Sequence, residues 1–139
     1  MQFYRNVIIP VLLIFGTSLS AQDTPQSIVE RFFKVYEDQN ISSAIDFYFP
    51  DNRWTQSIGE DLEKLKANCE NYFSEGYSGQ YFGYEMIRTD ELGKHYRKIT
   101  CLVRFERQPF RFVFVLYKPN DRWKGQNFFF SDKVEETGG

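Results

Sequence analysis

Among its 139 residues the sequence has a single histidine, His95, and two cysteines, Cys69 and Cys101. These scarcities remove much chemistry. A zinc site takes three or four closely spaced His, Cys or carboxylate ligands, and no such spacing occurs, so no metal is expected. Imidazole acid–base work would have to fall on His95 alone. There is no Ser/His/Asp set and no paired-carboxylate constellation, and no cofactor is expected. The formal charge of −2 comes with no Lys/Arg block, which argues against a phosphate-backbone partner such as nucleic acid. The longest apolar run, residues 7–15, has about half of the roughly 20 residues needed to cross a bilayer, so no stable membrane span is expected. Repeats and low-complexity segments are also missing.

The beginning of the chain has an ordered pattern. Residues 1–6 carry Arg5 and no acid, residues 7–15 read VIIPVLLIF, and residues 16–21 are small and weakly polar, GTSLSA. This is the charged, apolar and small-residue order of a cleavable secretory signal. Cleavage is expected after Ala21, with Ser20 as the alternative, and no cysteine near that point offers a lipid anchor. Removing 21 of 139 residues leaves 118, one domain over residues 22–139. Its charge becomes about −3 once Arg5 is gone. The address is the periplasm or the extracellular space.

Aromatic residues are abundant: 15 Phe, 9 Tyr and 2 Trp, of which only three lie in residues 1–21. Each ring can bury about 150–250 Å², an efficient filling for a small core. Thr24 before Pro25 reads as a helix start. Ile28, Phe32, Val35 and Tyr36 then recur at helical spacing, giving a helix over about 25–39. A short second helix, capped by Ser42 or Ser43, holds Ala44, Ile45, Phe47 and Tyr48 and stops before Pro50. Residues 50–57 read as a polar loop. Ser57 and Glu60 form a capping-box pattern opening a third helix, with Leu62, Leu65, Cys69, Tyr72 and Phe73 on one face.

After Gly79 the period becomes two, giving strands over about 80–89, 95–107, 110–118 and 122–131 joined by short turns. Short links between successive strands make antiparallel hairpins. The fold class is therefore α+β, three N-terminal helices packed on a four-stranded antiparallel sheet, with an ordered core over about 25–131. Ile99, Cys101, Val103 and Phe105 share one sheet face; Lys98, Thr100, Arg104 and Glu106 share the other. The third strand is apolar on both faces from Phe112 onward, so Val113 and Val115 suggest a contact on the outer face, including a homodimer. Arg104, Glu106 and Arg111 are expected to form solvated cross-strand pairs. The tail, residues 132–139, is expected to fray.

The order of elements resembles small exported members of the nuclear-transport-factor-2-like superfamily, the cystatin-like, cone-shaped α+β folds. The likeness covers about residues 25–131. It rests on the first helix Ile28-Val29-Glu30-Arg31-Phe32-Phe33, the second helix ending Phe47-Tyr48-Phe49-Pro50, the strand Phe110-Arg111-Phe112-Val113-Phe114 and the closing Asp121-Arg122-Trp123-Lys124. The resemblance implies a curved sheet wrapped around the helices, with an interior that is a pocket in some members.

Several residues are then candidates. Cys69 and Cys101 either bridge the helix–sheet interface or stay as two buried thiols. A bridge would close a loop of about 30 residues, worth about 3 kcal/mol. Trp54, Tyr84 and Trp123 could stack on a ligand or anchor loops and core. Two functions from different classes follow. One is a non-catalytic exported domain binding an apolar or aromatic small ligand or a protein partner. The other is a pocket enzyme of isomerase or dehydratase type. In the enzyme His95 or Asp46 would be the base, with Tyr36 or Tyr48 as hydrogen-bond donor.

Overall fold

The computed structural model describes residues 23–135; the secretory-signal reading, on residues 1–21, lies outside them. Five helical segments, α1 (Pro25–Asp38), α2 (Ile41–Tyr48), α3 (Arg53–Ser57), α4 (Gly59–Tyr72) and α5 (Glu75–Ser78), precede four strands. The strands are β1 (Tyr81–Glu91), β2 (Tyr96–Phe105), β3 (Pro109–Tyr117) and β4 (Lys124–Ser131). They form one antiparallel meander in the order β1-β2-β3-β4. The α+β order and the four hairpin-linked strands thus follow the alternation and turn composition of the sequence.

Local chemistry explains where the helices begin. Thr24 caps α1: its Oγ1 accepts from the Ser27 amide at 3.0 Å, Ser27 Oγ accepts from the Thr24 amide at 2.9 Å, and Pro25 takes the first helical position. The cap of α2 is Asn40, whose Oδ1 accepts from the Ser43 amide at 2.8 Å. Ser42 and Ser43 already lie inside the first turn of the helix, and Ser42 instead donates to Glu70 on α4. Phe49 leaves the helix in extended backbone, φ −92° and ψ 121°, as a residue before proline should. The segment expected to be a loop contains α3, opened by a reciprocal Asn52–Thr55 capping box. Ser57 closes α3 by donating to the Trp54 carbonyl and does not cap α4. That helix has no side-chain cap, but Glu60 and Asp61 in its first turn face its positive end.

One face of the sheet carries the core. From α1, Ile28, Val29, Phe32 and Phe33 lie buried against Ile99, Cys101 and Val103 of β2, Phe110, Phe112, Phe114 and Leu116 of β3 and Phe128 of β4. Phe32 alone meets Phe114 at 4.9 Å, Phe33 at 5.3 Å and Phe128 at 5.5 Å between ring centroids. Phe73, just past α4, joins the same cluster through Phe110 at 5.0 Å and Phe112 at 4.9 Å. Edge-to-face and offset contacts of this kind favour the ring quadrupoles beyond plain area burial.

Three register breaks shape the sheet. Bulges fall at Phe82 and Ile87 on β1, where partner residues jump by one, and at Gln126 on β4 opposite Val115 and Leu116. Each bends its strand and increases twist. Gly83, at φ 131°, lets the Arg104 side chain cross β1 and donate to the Phe82 carbonyl at 3.1 Å. Around the β2–β3 turn, Arg104 and Glu106 make contacts to the backbone of β1 and the residue before it. Arg104 serves Phe82, and Glu106 accepts from the Gln80 amide at 3.1 Å.

Candidate functional site

The helix-covered side of the sheet offers little room. Phe32, Phe33, Phe112 and Phe114 are fully enclosed and in mutual ring contact, with Tyr48, Phe73 and Phe128 closing the gaps. The space between α1 and the sheet is occupied by aromatic rings.

The opposite face is different. Register places Arg88, Thr100, Val113 and Phe129 in one row across the four strands, with Leu102 and Arg111 paired in the next row. Beyond β4, residues 132–135 turn back, so that Val134 and Glu135 line a cleft of about 420 Å³ with Ile87, Arg88, Thr100 and Arg111. The tail, expected to fray, thus supplies a wall as far as it is described. Ile87, the bulged residue of β1, is 48 % exposed there. Thr100 is only 3 % exposed, and its Oγ1 is buried without a hydrogen-bond partner among the described residues. Arg88 Nε donates to Asp90 Oδ2 at 3.0 Å, which fixes that guanidinium at the rim.

Val113 and Val115 are each 4 % exposed within the single chain. They flank Thr100, Lys98, Phe129 and Asn127 across the strands. The apolar outer contact inferred from them therefore loses its two residues as accessible groups; Phe82, Ile87, Tyr117 and Phe129 are the exposed ones on β1, β3 and β4.

The other candidates do not converge. His95 is exposed in the β1–β2 turn, its Nδ1 2.8 Å from the Lys118 carbonyl. Asp46 projects from α2 and pairs with Lys66 of α4 at 2.9 Å. Neither lines the outer-face cleft or the two smaller clefts below. Tyr48 is buried, and its hydroxyl donates to the Val115 carbonyl at 2.6 Å. Burial pushes its phenol well above the ordinary range, so it acts as a fixed donor inside the fold. Tyr36 lines a separate cleft of about 370 Å³ with Asn40, Ile41, Glu70 and Phe73. Desolvation likewise raises its phenol.

Of the aromatic candidates, Tyr84 is stacked on Phe33, 3.7 Å between centroids and 7° between planes. Trp123 lies before β4 with the Arg97 guanidinium and Lys118 ammonium 5.1 and 5.2 Å from its ring. It lines a cleft of only about 160 Å³ with Arg31, Phe47 and Tyr48. Trp54 stands exposed on α3. Cys69 and Cys101 are both buried and unbridged, which corrects the disulfide alternative. Burial pushes each thiol up to about 12, so both behave as small apolar core residues.

Among the described residues no group of three His, Cys, Asp or Glu side chains could hold a metal ion, and no helix is long and apolar enough to cross a membrane. Alternation along β2 and β3 already assigned Thr100 and Arg111 to the outer face. Ile87, Arg88 and Val134 carry no such signal, because a bulge and a returning tail depend on partners distant in sequence. The chain matches no protein-family model, no curated protein and no solved structure.

Proposed function

We propose that this protein is an exported binding domain whose ligand seat is the outer-face cleft of the sheet, not the interior. The observation that carries this reading is the contrast between the two sheet faces. One is closed by packed rings; the other keeps a cleft of about 420 Å³ with apolar walls at Ile87 and Val134 and polar groups at its floor. Small-molecule sites are concave and set apolar surface beside a few placed polar groups; here Ile87 and Val134 stand beside Arg88, Thr100, Arg111 and Glu135. Burial of Val113 and Val115 within the chain favours a small apolar ligand over a second copy docked through the same face. The separate settings of His95 and Asp46 favour binding over isomerase or dehydratase chemistry. The nuclear-transport-factor-2-like cone remains our reading of the architecture, supported by the helices-then-meander order and the bulges that bend β1 and β4.

The neutral fluorophore N-phenyl-1-naphthylamine tests the seat. Saturable fluorescence enhancement is expected for the native protein, lost in Ile87→Asp and kept in Trp54→Ala. Full binding by Ile87→Asp would place the seat elsewhere, and absence of saturable binding by the native protein would overturn the binding reading. Export is tested by mass: protein recovered outside the cytoplasm should begin at residue 22, or at residue 21 if cleavage follows Ser20.

A further inference from the structure

Away from the outer-face cleft, one end of the sheet carries a charge opposite to that of the chain. The β1–β2 and β3–β4 turns lie side by side there. The Lys118 amide donates to the His95 carbonyl at 2.8 Å, and His95 Nδ1 lies 2.8 Å from the Lys118 carbonyl. Residues 91–97 and 117–124 together hold five basic side chains against two acids, Glu91 and Asp121, in a chain of net charge −2. Neither stretch is a basic block by itself; the pairing of Tyr96 with Tyr117, and of Tyr117 with Lys124, brings them together. Glu91 faces Arg97 at 3.4 Å, while Lys94, Lys118, Arg122 and Lys124 pair with no acid among the described residues.

The same end exposes apolar surface. Leu92, 71 % exposed, stands in the β1–β2 turn beside Gly93, whose φ is 67°. Arg97 Nη1 braces that turn by donating to the Gly93 and Tyr96 carbonyls at 2.9 and 2.8 Å. The Trp123 ring lies half-buried against the Arg97 guanidinium and the Lys118 ammonium. Peripheral contact with a bilayer uses these elements together: apolar and indole groups enter the interface while cations meet anionic headgroups. A nucleic-acid backbone would engage the same cations and leave Leu92 in water. We propose that this end of the sheet docks on an anionic lipid bilayer, with Leu92 inserted and Lys94, Lys118 and Arg122 on the headgroups. The contact lies on the bilayer surface and is separate from the outer-face cleft.

The test is co-sedimentation with vesicles of phosphatidylglycerol and phosphatidylcholine in equal amounts, against phosphatidylcholine alone. It uses the chain from residue 22, which keeps the whole core from Ile28 to Phe128 and omits the apolar run at residues 7–15. Three surplus positive charges should give about 100-fold stronger partition onto the anionic vesicles at about 0.1 M salt, a preference lost at about 1 M. Arg122→Glu should weaken that partition about tenfold or more. Lys133→Glu, the same charge change past the other end of β4, should leave it within about twofold. Leu92→Ser should lower partition about tenfold, the size expected when one leucine is withdrawn from an apolar phase. Equal partition onto the two vesicle types, or equal weakening by Arg122→Glu and Lys133→Glu, overturns the proposal. So does binding to a short DNA duplex that is as tight as to the anionic vesicles and unaffected by Leu92→Ser. None of these outcomes touches the outer-face seat, which the fluorophore tests separately.

Discussion

Replacing Tyr48 by phenylalanine removes one oxygen and keeps the ring. The ring contacts with Phe49, Phe114, Phe32 and Phe128, at 5.2 to 6.5 Å, do not involve the hydroxyl. That hydroxyl serves the β4 bulge. Where Gln126 is squeezed out of the ladder, the Val115 carbonyl turns to Tyr48 Oη at 2.6 Å, with the Gln126 backbone also against the phenol oxygen. Without the hydroxyl, a carbonyl on a 4 % exposed residue is left without its partner. An unsatisfied buried acceptor costs about 1–3 kcal/mol, a large share of a total stability of about 5–15 kcal/mol. Urea unfolding followed by tryptophan fluorescence should show the midpoint lowered by about 1 M with an unchanged slope. A midpoint within about 0.2 M of wild type would refute the bulge-satisfying role, given the usual precision of such curves.

The same junction makes a second prediction. A Cβ on Gly125 would collide with the Tyr48 carbonyl oxygen and lie 2.8 and 2.9 Å from its ring carbons. Gly125→Ala should therefore cost about 1–3 kcal/mol or more by overpacking, against near-neutral behaviour for Gly76→Ala, where the space is open. For the thiols, denaturation without reductant should expose two groups reactive to a thiol reagent, whereas the native protein reacts slowly at pH 8; a single bridged form would yield none. Because the folded state holds both thiols up to about 12 against an ordinary value of 9.0, it binds protons more tightly than the unfolded chain. Their contribution is therefore complete below pH 9 and lost as pH rises from 9 to about 12. Tyr36, Tyr48 and Tyr81 act in the same direction above pH 10. Urea midpoints should fall across that window, and less steeply in Cys69→Ala/Cys101→Ala; a flat profile would contradict the burial argument.

Much of the scaffold was legible because its signals are local. Thr24 and Pro25 announce α1 within four residues, Pro50 ends α2, and the alternation from Ile99 to Phe105 sorts β2 into two faces without knowledge of its partners. Other features resisted reading. Asn40, Ser42 and Ser43 are all competent caps, and the choice falls to whichever backbone turns extended just before the helix, here Asn40. Residues 50–57 look polar enough for a loop, yet the Asn52–Thr55 box gives a five-residue helix its start. Bulges at Phe82, Ile87 and Gln126 arise from register between strands, so they leave no mark on one strand alone. The cleft depends on one of them, on Ile87, and on Val134 returning from the tail. Aromatic abundance, in turn, is equally compatible with a lined pocket and a filled core; only the ring-to-ring distances around Phe32 separate the two.

Methyl-resolved NMR of the native protein titrated with N-phenyl-1-naphthylamine tests the outer-face seat most directly. Ile87, Thr100 and Val134 lie on one side of the sheet, and Ile28, Ile45, Ile99 and Val103 lie in the core on the other. Saturable shifts at the first three, with the second four unmoved, are the expected result. Shifts centred on Ile28, Ile99 and Val103 would mean that the ligand enters between helices and sheet, and would contradict a binding site on the outer face.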